Sequence, residues 1–153
     1  MTDRHVEHAD FTIERAYAAS PERVFTAWAE EKAKADWFAG GGNDYRLDFR
    51  VGGREVNRGS RSGGPVITFD ARYHEIVPPE RIVYAYDLYV GSTLASVSVT
   101  TVQFAPAGRG TRLVLTEQVA FLDGHDRPEW REQGTRDWLE TLAAHLERET
   151  SRA

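Results

Sequence analysis

The stretch Ala71-Arg-Tyr-His-Glu-Ile-Val-Pro-Pro-Glu-Arg-Ile-Val-Tyr84 reads as two strands meeting at a turn. Ala71 and Tyr73 alternate with Arg72 and His74, and Ile82 and Tyr84 share one face beyond the break. Pro78 and Pro79 lack the N–H that a strand ladder needs, so pairing stops there. Working outward, the same period of two recurs from Tyr45 to Phe121, in runs at about 45–50, 53–58, 65–76, 81–90, 94–105 and 111–121. Gly52-Gly53, Gly59 to Pro65, Gly91 and Pro106 to Gly110 supply the remaining turns. Half-apolar strands joined in this way form an antiparallel meander with one buried face.

Upstream, Phe11, Ile13 and Tyr17 alternate over 11–18, and Ser20-Pro21-Glu22 then gives an N-cap, a proline at the first helical position and an early acid. The helix that follows carries Val24, Phe25, Ala27 and Trp28 on one face, and a second short helix, about 31–38, ends at Gly40-Gly41-Gly42. Downstream, Thr135, Trp138, Leu139, Leu142 and Leu146 recur at three- and four-residue intervals over 128–148, opposite Arg136, Asp137, Glu140 and Glu147. The class is α+β: a seven-stranded antiparallel sheet, two short helices after strand one, and one long C-terminal helix able to cover the sheet. Strands of ten or more residues favour curvature, and a bent sheet gripping a helix leaves a space between them. Residues 1–10 read as a flexible tail and 11–149 as one domain.

Composition narrows the function. The chain has 153 residues, 24 acidic against 19 basic side chains and no cysteine. The absence of cysteine excludes disulfide scaffolds, thiolate metal sites and a cysteine nucleophile. A net charge of -5 gives no global attraction to nucleic acid or to an anionic membrane. The polar start lacks the apolar core of a signal peptide, and no run approaches a membrane span, so no membrane insertion and a cytoplasmic location are expected.

Five stretches together resemble a known superfamily: Phe11-Thr-Ile-Glu-Arg15, Ala19-Ser-Pro-Glu-Arg-Val-Phe-Thr-Ala-Trp28, the 71–84 segment, Gly110-Thr-Arg-Leu-Val-Leu-Thr116, and Gly134 opening the last helix. Over about 11–148 the chain is similar to the START, polyketide cyclase and birch-pollen-allergen superfamily (SRPBCC), in its branch of heat-shock ATPase activator (Aha-type) homologues. The resemblance implies a helix-grip fold enclosing a cavity for an apolar small molecule, with no cofactor. Members include lipid binders, aromatic polyketide cyclases, self-sacrificing resistance proteins and a eukaryotic co-chaperone domain.

Strand phase nominates the cavity residues. Ile67, Phe69, Ala71 and Tyr73 should point inward from one strand, with His74 facing solvent. The next two sets are Ile82, Tyr84, Tyr86 and Leu88, then Leu113, Leu115 and Glu117. Two accounts of the tyrosines stand side by side: ligand-stacking faces, or core side chains with hydroxyls at a wet rim. Over 94–104 the apolar phase changes, which needs either a mid-strand bulge or inward Ser96 and Ser98 beside Val102 and Phe104, giving the cavity a polar end. Trp138, Leu139 and Leu142 should roof the cavity, while Trp28, Trp37 and Phe38 stand near its mouth. Arg15 and Glu117 interrupt apolar faces; the resembled fold makes the first and last strands antiparallel neighbours, so the two are expected to pair, since burying either alone would cost several kcal/mol.

Other signals are weaker. Histidines 5, 8, 74, 125 and 145 show no metal-ligand spacing, and the loop Asp123-Gly-His-Asp126 reads as turn and cap chemistry. Arg46, Arg50, Arg54, Arg58 and Arg61 form a basic stretch, either a solvated face or a contact for an acidic partner. The leading function is therefore binding of an apolar, aromatic or polyketide-like molecule. Alternatives are a cofactor-free cyclase or aromatase using Glu117, Arg15 and the tyrosines, and a co-chaperone-like module binding a chaperone. Homodimerisation through a sheet edge or helix face stays open.

Overall fold

The computed structural model describes residues 4–60 and 63–151. Its strands are β1 (Val6–Tyr17), β2 (Asp44–Leu47), β3 (Arg54–Gly59), β4 (Ile67–Val77), β5 (Arg81–Val90), β6 (Thr93–Ala107) and β7 (Gly110–Leu122). They form one antiparallel sheet in the order β1-β7-β6-β5-β4-β3-β2. From β2 to β7 each strand pairs with its chain neighbour, and β1 pairs with β7. The helices are α1 (Pro21–Ala29), α2 (Glu31–Lys34), which continues as a π-helical turn at Ala35–Ala39, and α3 (Pro128–Ser151). The curved sheet and the long α3 make the helix-grip α+β fold.

Local chemistry sets the helix ends. The Ser20 hydroxyl accepts from the Arg23 N–H at 3.3 Å, and Pro21 opens α1. The π turn widens the end of α2 and seats Trp37 under α3. Its indole N–H donates to the Ala27 carbonyl at 2.9 Å, and the Thr141 hydroxyl donates to the Trp37 carbonyl at 2.7 Å. Trp28, Trp37 and Trp138 then meet with ring centroids 5.0–5.7 Å apart, joining the short helices to α3.

One expectation changes, and the open alternative in β6 resolves to inward Ser96 and Ser98. The first strand begins at Val6, so residues 6–10 are a paired strand and not a tail: Val6 stands opposite Leu122 and Asp10 opposite Gln118. The cause is backbone pairing along β7, which needs no apolar alternation; the Val6, His8 and Asp10 side chains stay exposed. The His5 N–H donates to Asp123 Oδ1 and the Asp123 N–H to the His5 carbonyl, both at 2.8 Å, which closes that end of the pair. In β6 the bulge lies near the strand start, at Ala95, because Leu88 faces Ser96 while Tyr89 faces Leu94. Beyond it Ser96, Ser98, Thr100, Val102 and Phe104 all point inward, and Val97 and Val99 are exposed.

Candidate functional site

A cleft of about 330 Å³ lies between the concave sheet and α3. The sheet contributes Ile67 and Phe69 from β4, and Tyr84, Tyr86 and Leu88 from β5. Phe38 comes from the π turn and Asn57 from β3, while Trp130, Arg131, Gly134 and Trp138 come down from α3. Asp126, just before α3, completes the wall. Alternation aims the strand residues and helical spacing aims Arg131, Gly134 and Trp138, so the cleft follows directly from two periodicities. Phe38, Asn57, Ile67 and Phe69 also border a wider opening of about 660 Å³ beside Gly40 and Asn43.

One end of the cleft is closed by a polar network. Arg131 Nη1 donates to Glu117 Oε2 at 3.0 Å, to the Tyr86 hydroxyl at 2.9 Å and to Ser98 at 2.8 Å. Its Nη2 donates to Asp126 Oδ2 at 3.0 Å and to the Ser96 hydroxyl. Glu117 accepts further from Tyr86 and Thr100, each at 2.8 Å. Burial opposes the charge on Arg131, but Tyr86, Glu117 and Asp126 outweigh it and hold the guanidinium pKa above its usual value. Glu117 accepts from three donors at 1% exposure, so it is a satisfied buried carboxylate.

A second network lies under the other side of the cleft floor. Lys34 Nζ donates to Glu55 Oε1 at 2.8 Å and to the Tyr73 hydroxyl at 3.3 Å. Tyr73 and Tyr45 donate to the two oxygens of Glu55, at 2.6 and 2.7 Å. Lys34 and Glu55 are 1% and 0% exposed, and the ammonium sits 4.8–6.0 Å from the ring centroids of Phe38, Trp28, Tyr84 and Trp37. Burial pushes the Lys34 pKa below the ordinary lysine value, with Glu55 partly offsetting it.

Seven of the nominated residues, Phe38, Ile67, Phe69, Tyr84, Tyr86, Leu88 and Trp138, meet at the cleft. Trp28, Val102, Leu115 and Leu142 lie in the core, while Tyr73 belongs to the Lys34 network, and Ser98 and Glu117 belong to the Arg131 network. The expected Arg15–Glu117 pair does not form. Arg15 stands opposite Leu113 and approaches Glu140 on α3 at 3.4 Å, whereas Phe11 faces Glu117. The strands are neighbours, but the register sets the two charges four residues apart.

Sequence reasoning missed Arg131, Lys34 and Glu55, though each had a signal. Arg131 precedes Thr135 by one helical turn and so continues the α3 stripe. Lys34 lies three and four residues before Trp37 and Phe38, and Glu55 alternates with the outward Arg54. Of the arginine stretch, Arg50 pairs with Asp48 and Arg54 with Asp70, both at 2.9 Å; Arg61 lies outside the described residues. Among the described residues no three His, Asp or Glu side chains gather as metal ligands, and no helix is long and apolar enough to cross a membrane.

The tyrosines give a pH prediction. Burial, above all, raises the pKa of Tyr17, Tyr45, Tyr73, Tyr84 and Tyr86. A group whose folded pKa is raised contributes stability that is fully present below its unfolded value and is lost as pH rises toward its folded value. Above pH ~10, each such tyrosine should therefore remove about 1.4 kcal/mol of stability per pH unit. Absorbance at the phenolate band should show these side chains ionising together with unfolding; ionisation of all of them in a folded protein would contradict the network.

The matches to known proteins extend over most of the chain. The family model described as Activator of Hsp90 ATPase homolog 1-like protein matches residues 18–147. Among solved structures, an uncharacterised protein from Rhizobium leguminosarum superposes with a TM-score of 0.92 at 46% identity, over 96% of this chain and 99% of that one. The Mll3558 protein from Rhizobium loti gives a TM-score of 0.87 at 49% identity, over 92% and 99% of the two chains. CV1439 from Chromobacterium violaceum gives 0.72 at 30% identity, over 88% and 94%. No curated protein matches. On sequence and fold together, the chain belongs to the Activator of Hsp90 ATPase homolog 1-like family, an Aha-type branch of the SRPBCC superfamily.

Proposed function

We propose that the protein binds a small, largely apolar molecule with a flat or aromatic body in the cleft between the sheet and α3. The observation that carries this reading is Gly134. A glycine inside a helix lowers its stability by about 1 kcal/mol relative to alanine, and a Cβ built here would meet no atom within 4 Å. The helix is thus bare where it borders the cleft, opposite half-buried Phe69 and beside Trp138. Aromatic walls with one polar end suit a ligand that carries a single polar group. Superfamily membership supports the same reading, since the resemblance implies a binding cavity.

A catalytic role for Glu117 with Arg15 has less support, because Glu117 is buried and held by Arg131, Tyr86 and Thr100 and Arg15 points elsewhere. A chaperone partner rests on the family description alone.

The test uses 2-naphthalenemethanol as a neutral probe, together with native mass spectrometry for a co-purifying compound. Gly134→Ala should raise stability by about 0.5–1 kcal/mol. Gly134→Leu should leave the protein folded and weaken probe binding by about ten-fold or more, since the side chain occupies the cleft. Absence of any co-purifying compound and of probe binding, or binding indifferent to Gly134→Leu, would overturn the proposal.

A further inference from the structure

We infer that the cleft selects an organic cation: an apolar, preferably aromatic body bearing a protonated amine, with the ammonium seated against Asp126. The inference rests on the binding role proposed above and adds the charge of the ligand. Of the residues lining the cleft, only Asp126 and Arg131 are charged. Glu117 stands directly behind Arg131, so two carboxylates share one guanidinium and the polar end carries an excess negative charge. The neighbouring Lys34–Glu55 pair contributes no net charge.

Hydrogen bonding points the same way. Arg131 spends Nη1 on Glu117, Tyr86 and Ser98 and Nη2 on Asp126 and Ser96, so neither nitrogen is free for a ligand carboxylate. The Tyr86 hydroxyl is also committed, donating to Glu117 while accepting from Arg131. Asp126 differs: Oδ1 accepts from the Arg127 N–H and Oδ2 from Arg131. Each carboxylate oxygen accepts two hydrogen bonds, which leaves acceptor capacity on Asp126 at the cleft wall. An ammonium supplies the donors and the charge that this carboxylate lacks, whereas an anion would approach two carboxylates that share one guanidinium.

The walls add to this preference. Protein cations already lie over several of these rings: Lys34 over Phe38 and Tyr84, Arg131 over Tyr86, and Arg127 over Trp130 at the mouth. Phe69 and Trp138 also line the cleft, and among the described residues neither has a lysine or arginine over its ring. Both rings pack against aromatic neighbours yet stay partly exposed, and aromatic quadrupoles attract a cation.

The test compares three probes on one ring system by calorimetry at low salt: 2-naphthylmethylamine, 2-naphthalenemethanol and 2-naphthoate. The full chain should bind the amine about ten-fold or more tightly than the carboxylate, with the alcohol between them. In Asp126→Asn, which keeps the shape of the wall, the spread between amine and carboxylate should shrink to about three-fold or less. The ordering in the unaltered protein stands as a test even if that variant folds poorly. Carboxylate binding equal to or tighter than the amine would overturn the inference and leave the binding role intact. Failure of all three probes to bind would overturn both.

Discussion

Replacing Arg131 with methionine should cost the fold about 3–5 kcal/mol, because it strands Glu117 as an unpaired carboxylate at 1% exposure. Methionine fills most of the volume, so the loss isolates the charge from a packing defect. Tyr86 and Thr100 still donate to Glu117, but two neutral hydroxyls do not replace a guanidinium. For a chain of this size such a loss lowers the melting temperature by roughly 10 °C or more. The double variant Arg131→Met/Glu117→Gln should recover most of it, since removing both charges also removes their shared desolvation cost. Calorimetric melting of the two variants decides the matter. A single variant melting within about 2 °C of the parent would mean that water reaches Glu117 and that the network is dispensable.

The second large effect is at Lys34. Lys34→Met leaves Glu55, 0% exposed, with the hydroxyls of Tyr45 and Tyr73 and no cation, for an expected loss of about 3–5 kcal/mol. This site adds a pH signature. Burial lowers the folded pKa of Lys34, against the pull of Glu55, so the folded protein holds that proton less tightly than the unfolded chain does. Its contribution is fully present above the unfolded lysine value of about 10.4 and is lost as pH falls through the folded one. Denaturant titrations from pH 7 to 9.5, below the range where the tyrosines intervene, should therefore show the gap between parent and Lys34→Met widening with pH. A gap that narrows over this range would mean that the attraction of Glu55 exceeds the desolvation of Lys34.

The sequence carried most of the architecture because its strands and helices repeat with clear periods. The inward phases of β4, β5 and β7 follow from alternation of apolar with polar side chains, and the α3 stripe from its three- and four-residue spacing. Residues 6–10 were illegible for a physical reason: strand pairing there is held by backbone ladder bonds and the His5–Asp123 clasp, while exposed polar side chains erase the alternation. The candidate site was half legible. Its aromatic walls belong to those periodic faces, but its charges do not. Arg15 and Glu117 looked like partners because both interrupt apolar faces of adjacent strands, yet ion pairing depends on register and on what the helix brings. Glu117 is met from across the cleft by Arg131, a contact between segments that no local pattern records.

The two buried networks also separate what fixes this fold from what shapes its binding surface. Sliding β7 by one residue would turn Gln118 inward where Glu117 now meets Arg131, and sliding β3 would offer Arg54 to Lys34 in place of Glu55. Either error would strand buried charge, so the sheet alignment is policed by electrostatics at two points. Ile67, Phe69, Leu88 and Trp130 take no part in either network and are each partly open to solvent. Those side chains are free to be exchanged for others of different size without loosening the strand alignment. A scaffold organised this way can acquire new ligand preferences through its walls while its frame stays locked.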